Sequence, residues 1–358
     1  MEDLRILFEK NNDDEFLIGL KEIKNNIELI EKNKDFLVKV LQKTDNRMIK
    51  ETIVNILKKA NFDDVDEKKL EELLMNDDLF VRDSILTILG KSRSLYYLNK
   101  LLNSKNKHIR KYALDSLFRM EDPELMDFIA KGLEDEDINN VMAAIEYLGE
   151  LEGYKYADKI SDLIDKFDNP FFISTVLQTL SIIGNNYSLE IIKNKFKQPE
   201  NLPDMILIPY LNFMAKFNNI DTIEIIEKII DKKGTILYKE FIDIIKSIIQ
   251  NTQMDKKTKL RIKEILKELF YSDIPYPNKY EILILVGEFC EDEEVKNFIK
   301  KVLNEGFENN YILFGILDVI SEKGYIEFKD ILKKILSESK DEDVVFAIED
   351  TLKSLEER

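Results

Sequence analysis

Apolar residues recur along the chain at the spacing expected for an amphipathic α-helix. In residues 76–90, NDDLFVRDSILTILG, they return at i, i+3, i+4 and i+7. The pattern comes back in SKNKHIRKYALDSLF (104–118), where Arg110 follows Arg82 by 28 residues. Further copies are DNRMIKETIVNIL (45–57) and DINNVMAAIEYLG (137–149). A helical pattern that repeats every thirty or so residues indicates a structural repeat.

A second amphipathic stretch of about three turns precedes each copy, and a short polar turn separates the two. Examples are DEKKLEELL (66–74) and SLYYLNKLL (94–102). The repeating unit is therefore an antiparallel helical hairpin. We predict an all-α fold, an α-α superhelix in which roughly ten hairpins stack into a right-handed solenoid. We expect one domain over residues 1–358, with the clearest repeats in 45–149 and degenerate repeats in 150–358.

The repeats resemble those of HEAT-repeat proteins, and more closely those of their short-unit bacterial and archaeal relatives. In that family the second helix begins with a turn Asp, continues with Val-Arg and a small residue, and ends near Leu-Gly. The first matching copy supplies Asp78, Val81, Arg82, Leu89 and Gly90. The second matching copy supplies Asn106, Ile109, Arg110, Ala113 and Leu117. Tetratricopeptide repeats are the main alternative, but their period is fixed, whereas this spacing varies and the chain has no Trp.

The resemblance implies a polar ladder between neighbouring repeats, formed by Asp78, Arg82, Asn106 and Arg110. Physical reasoning supports this role, because Asp78 can cap its helix while Arg82 reaches the same carboxylate or Asn106 of the next repeat. A guanidinium that is partly buried between hairpins must be paired. We therefore interpret both arginines as structural residues and not as ligand contacts.

If the apolar stripe of each second helix faces the core, its opposite stripe faces outward. The residues that this places on the outward side are Asp83, Thr87, Lys111, Tyr112, Asp115, Glu146 and Tyr147. Tyrosines among mixed charges are typical of recognition surfaces. We predict that these residues contact a partner.

The chain is acidic, with 70 Asp and Glu against 53 Lys and Arg and a formal net charge of −17. This balance argues against a general nucleic-acid or anionic-membrane surface. Much of the acidity lies where helices should begin, where the helix dipole favours carboxylates. The exception is the basic segment 255–263, which contains Lys256, Lys257, Lys259, Arg261 and Lys263. It is either a solvated face or a local patch for an acidic partner.

The residue types that most catalytic sites need are scarce. The chain has one His, His108, and one Cys, Cys290, which limits metal sites, nucleophile-base pairs and disulfides. We interpret His108 as a solvated turn residue and Cys290 as a small, buried apolar side chain. We expect no catalytic residue, no cofactor and no metal. No secretory signal or membrane span is visible, and we expect a cytoplasmic protein.

The leading functional hypothesis is a non-catalytic scaffold that binds a protein or peptide along the concave face formed by the second helices. One alternative is an enzyme or enzyme accessory that resembles the HEAT-like phycobilin lyases and handles a tetrapyrrole. Another is nucleic-acid binding through the segment 255–263, which the net charge disfavours. Two proline-containing turns, 197–204 and 271–280, are either connections between hairpins or binding loops.

Overall fold

The computed structural model describes residues 4–60, 70, 73–74, 78–92, 95–217, 219–251, 254, 256–307 and 309–357. Its account of side chains leaves out residues 87, 89–92, 95–97, 219 and 251. The chain divides into two compact units, Met1–Ile192 and Lys193–Arg358. None of the described residues lies in a β-strand, and the predicted all-α fold is confirmed.

The first unit consists of helices that alternate between two layers. They are α1 (Leu4–Glu9), α2 (Asp13–Ile23), α3 (Ile27–Lys43), α4 (Arg47–Leu57), α5 (Leu79–Ser92), α6 (Leu95–Leu102), α7 (Lys107–Phe118), α8 (Met126–Ile129), α9 (Ile138–Glu150), α10 (Ala157–Asp162) and α11 (Pro170–Ile183), followed by α12 (Asn186–Lys195), which reaches the unit boundary. The second helices α4, α5, α7, α9 and α11 pack side by side in sequence order. Most of the predicted segment 66–74 lies outside the described residues.

The second unit continues with α13 (Asp204–Phe217), α14 (Asn219–Asn251), α15 (Lys256–Tyr271), α16 (Tyr276–Phe289), α17 (Asp292–Glu305), α18 (Asn310–Lys323), α19 (Lys329–Glu338) and α20 (Glu342–Glu356). Here α16 packs on α18, and α18 packs on α20. The run α14 contains two helices that meet at a kink, where the backbone of Leu237 (φ −107°, ψ 19°) departs from helical geometry.

Two of the segments in first-helix positions are not regular α-helices. The segment 123–134 passes from a 3-10 turn through α8 into a second 3-10 turn, and the segment 154–165 does the same around α10. Their apolar side chains still lie in the core, since Ile129, Leu133, Ile160 and Ile164 are almost completely buried. A 3-10 helix is more tightly wound than an α-helix. In segments this short, the same spacing of apolar residues is compatible with either helix type.

The two proline-containing turns are mostly occupied by ordered structure. Residues 199–201 form a 3-10 turn with Pro199 buried, and α13 begins at Asp204. The other turn is short, because α15 extends to Tyr271 and α16 begins at Tyr276. Ile274 between them is buried. Both turns serve as connections that pack against the hairpins.

In the part of the chain that the structure describes, no helix is both long enough and apolar enough to cross a membrane.

Candidate functional site

Several second helices begin at an aspartate whose side chain accepts hydrogen bonds both from its own helix and from the preceding repeat. In Asp137, Oδ1 accepts the backbone N–H of Asn139 at 3.0 Å and caps α9. Its Oδ2 accepts the ammonium of Lys107, on α7 of the preceding repeat, at 2.9 Å. Lys107 lowers the pKa of Asp137 below its usual value. The Asp137 carboxylate therefore caps the start of α9 and also joins two neighbouring repeats.

Asp341 and Asp78 have the same arrangement. Asp341 caps α20 with Oδ1 and accepts Nδ2 of Asn310, on α18, with Oδ2 at 2.9 Å. Asp78 accepts the backbone N–H of the residue two positions on at 2.9 Å, while its other oxygen accepts the ammonium of Lys50 on α4. We call these three aspartates, with their donors Lys50, Lys107 and Asn310, the N-cap ladder.

Arg110 forms an extensive polar contact between neighbouring repeats. Its Nε and Nη2 donate to both carboxylate oxygens of Asp135 at 2.6 and 2.7 Å, and its Nη1 donates to the Ser104 carbonyl at 2.8 Å. Asn140 donates to the same carboxylate at 3.0 Å. The Asp135 side chain is only 6% exposed.

The other residues of the ladder predicted from sequence lie close by. Asn106 caps α7 by accepting the backbone N–H of His108 at 2.9 Å. Arg82 is half-buried, and its backbone N–H donates to the carbonyl of Asp78 at 3.1 Å. The Asp78 carboxylate, which was expected to accept the Arg82 guanidinium, accepts the ammonium of Lys50. A structural role for Arg82 stays a prediction.

Three of the predicted partner-binding residues form one cluster across α7 and α9. Lys111 pairs with Asp115 on α7 and donates to the Tyr147 hydroxyl at 3.1 Å. That hydroxyl donates to Asp115 at 2.5 Å. The Tyr147 ring stacks on Phe118 with centroids 4.1 Å apart and planes 6° from parallel. Burial, together with the bond to Asp115, raises the pKa of Tyr147, so the phenol stays neutral.

The remaining predicted residues border this cluster. Asp83 on α5 accepts the guanidinium of Arg119 at 2.5 Å. Glu146 is exposed beside Tyr147, and its pKa is raised, first by partial burial. Tyr112 is half-buried on α7, and the side chain of Thr87 lies outside the described residues. We call the surface made by Asp83, Lys111, Tyr112, Asp115, Phe118, Arg119, Glu146 and Tyr147 the α7–α9 face.

The sequence reasoning missed the apolar members of the neighbouring surface. Phe171 at the start of α11 is 62% exposed, and Ile182 near its end is 49% exposed. Met142 on α9 is half-buried. Helical periodicity places these residues on the outward side of their helices. They were missed because apolar residues were assigned to the core.

The basic segment 255–263 and Cys290 both lie in surroundings that fit a structural role. In the segment 255–263, Arg261 pairs with Glu224 at 2.7 Å, and Lys263 pairs with Glu294 at 2.5 Å. Burial raises the pKa of Cys290 to about 11, which disfavours the thiolate. Among the described residues, no group of three or more His, Cys, Asp or Glu is arranged to hold a metal ion.

Residues 95–181 match the family model of HEAT repeats, which confirms the predicted resemblance for that part of the chain. Among solved structures, the Kap95:Nup1 complex is 12% identical, with a TM-score of 0.52; the match covers 95% of this chain and 53% of that chain. The likeness confirms the solenoid class of fold, and the chain spans about half the length of that relative.

Two further structures match at lower TM-scores. One is an engineered protein, 14% identical, with 99% of both chains covered and a TM-score of 0.35. The other is a homology model of the full-length AP-3 complex in an intermediate open conformation, also 14% identical, with 94% of this chain and 86% of that chain covered and a TM-score of 0.32. The search of curated protein sequences gives no match.

Proposed function

We propose that this protein is a non-catalytic scaffold that binds a protein or peptide on the outward side of its second helices, centred on the α7–α9 face. The observation that carries the proposal is the Tyr147 cluster. Lys111, Asp115 and Phe118 hold this aromatic ring in one orientation at the surface, by two hydrogen bonds and a ring stack.

A surface of this kind can bind a partner at low entropic cost. Side chains that are already fixed by their neighbours lose less freedom when a partner covers them. Tyrosine and arginine are also the residue types that contribute most to protein interfaces. The exposed Phe171 and Ile182 of the next second helix extend the surface with apolar area.

The solenoid fold supports the scaffold proposal independently of any one residue. Stacked hairpins present neighbouring helices as an extended surface without requiring a deep pocket. The match of residues 95–181 to HEAT repeats covers α7, α9 and most of α11, which carry most of this surface. Binding by Kap95 in its complex with Nup1 illustrates that a similar fold serves protein association.

Affinity capture from a lysate of the source cells tests this proposal. The wild-type chain should recover a protein in near-stoichiometric amount, and the double variant Tyr112→Ala, Glu146→Lys should recover much less of it. The matched control is Tyr187→Ala, Glu190→Lys, which makes the same two changes on the exposed side of α12. Equal loss in both variants, or recovery of no protein by the wild type, would contradict the proposal.

A further inference from the structure

The second unit contains a groove on the outward side of three helices. It has a volume of about 550 Å³ and is lined by Lys246 of α14, by Tyr280, Glu281, Ile284, Leu285 and Glu288 of α16, and by Asp318 and Glu322 of α18. We call it the α16–α18 groove. Ile284 and the buried Leu285 give it an apolar floor, and four carboxylates and one ammonium give it a charged rim.

Among the described residues that line the groove, there are four carboxylates and one ammonium, so the charge of the groove is negative. Lys246 contacts Glu281, with Nζ 3.2 Å from Oε1. Asp318 accepts the neutral hydroxyl of Tyr280 at 2.6 Å, a bond that, with burial, raises the pKa of Tyr280 to about 12. A neutral donor fixes the Asp318 carboxylate in place without cancelling its charge. Glu288 is exposed at the rim.

We propose that the α16–α18 groove binds a basic peptide segment of a partner protein, one that carries at least two lysines or arginines. Their aliphatic stems fit the floor made by Ile284 and Leu285, and their cationic heads meet the carboxylates. Phosphate groups would be repelled by the same carboxylates, so the charge excludes nucleic acid here. The proposal rests on the proposed function, because it names the chemistry of a partner of the same scaffold.

The shape of the groove also favours an extended peptide. It crosses three helices, and neighbouring helices lie about 8 to 10 Å apart, so carboxylates on α16 and α18 can engage side chains that are several residues apart.

Fluorescence anisotropy with a labelled synthetic heptapeptide of alternating arginine and serine tests this proposal on the full chain. The wild type should bind the peptide at low salt, and its affinity should fall as salt rises. The double variant Glu288→Lys, Glu322→Lys should weaken binding about tenfold or more, because both changes reverse charge at the groove.

The matched control is Asp330→Lys, Glu338→Lys, which makes the same change in net charge on exposed positions of α19. It should change the affinity by less than about twofold, since these charges lie outside the groove. Equal weakening in the two double variants would show attraction to the acidic chain as a whole and would overturn the proposal. So would a wild type that fails to bind the peptide. If the lysate capture at the α7–α9 face succeeds in either case, only the groove assignment fails.

Discussion

At the scale of single residues, the joints between repeats are carboxylates with more than one donor. Asp135 accepts two guanidinium N–H groups from Arg110, a side-chain N–H from Asn140 and the backbone N–H of Asp137. Such a carboxylate stabilises the fold only while its donors are in place. Leaving a buried charge unpaired destabilises a folded protein far more than leaving an exposed charge unpaired.

We expect Arg110→Ala to lower the free energy of unfolding by about 3 kcal/mol, because it leaves the Asp135 carboxylate buried without its cation. Chemical denaturation followed by circular dichroism measures this loss. The matched control is Arg47→Ala, whose partner Glu51 lies on the exposed side of α4. It should cost no more than about 0.5 kcal/mol. Equal effects of the two substitutions would refute the assignment of Arg110 as a structural joint.

The Asp135 joint also predicts a dependence of stability on pH. Burial favours the neutral acid, but the hydrogen bonds from Arg110, Asp137 and Asn140 together outweigh it and hold the pKa of Asp135 below its usual value. A carboxyl with a depressed pKa stabilises the fold above its unfolded pKa, near 3.9, and that stability is lost as the pH falls through the folded pKa.

We therefore expect the stability difference between the wild type and Asp135→Asn to be largest near neutral pH. It should shrink as the pH falls from about 5 to about 2, because protonation removes the advantage of the wild-type carboxylate. Urea denaturation of both proteins across this range is the measurement. A difference that stays constant with pH would show that the charge of Asp135 contributes nothing.

At the scale of elements, α16 and α18 approach each other closely through two glycines. A Cβ on Gly287 of α16 would lie 2.8 Å from Cγ2 of Val319 on α18. A Cβ on Gly315 of α18 would lie 3.0 Å from Cδ1 of Leu283 on α16. Each helix therefore places a glycine against a branched side chain of the other. This pairing lets α16 and α18, which line the α16–α18 groove, pack closely together.

We expect Gly287→Ala to destabilise the chain by about 1 to 3 kcal/mol through overpacking, even though alanine favours a helix by about 1 kcal/mol over glycine. The measurement is a double-mutant cycle with Val319→Ala, which makes room for the added methyl group. The two substitutions together should cost at least about 1 kcal/mol less than the sum of the single effects. Additive costs would rule out a direct clash between α16 and α18.

Most second helices could be predicted from the sequence because their apolar stripes are long and they begin at an Asn or Asp cap, whereas α16 begins after Pro275. The 3-10 character around α8 and α10 could not, since so short an apolar stretch fits either helix type. The second donor of each N-cap aspartate was also missed. Lys50 and Lys107 lie 28 and 30 residues before Asp78 and Asp137, a distance at which only the stacking of repeats makes a contact.

The α7–α9 face was predicted only as a set of outward positions. Helical periodicity places Lys111, Asp115 and Tyr147 on that side, but it gives no information about which of them touch. The stack of Tyr147 on Phe118 joins two repeats, so it depends on the packing of α7 against α9. The outward positions could therefore be predicted from the sequence, whereas the contacts among them depend on how the repeats pack.

At the scale of the whole molecule, each of the two units consists of helical hairpins that pack mainly on their neighbours. Its acidity, a formal net charge of −17, is partly used in helix caps and in joints between repeats. The outward side of the second helices holds aromatic and charged residues, whereas the opposite side of each second helix is buried in the core. We propose that partners bind on this outward side.

Hydroxyl-radical footprinting of the chain, free and with its captured partner, tests that claim most directly. We expect the partner to slow oxidation of Tyr112, Met142 and Phe171 on the second helices. Oxidation of Tyr154 and Tyr187, which lie in first-helix segments and are 55% and 41% exposed, should be unchanged. Protection of Tyr154 and Tyr187 with no change at the second helices would contradict the account.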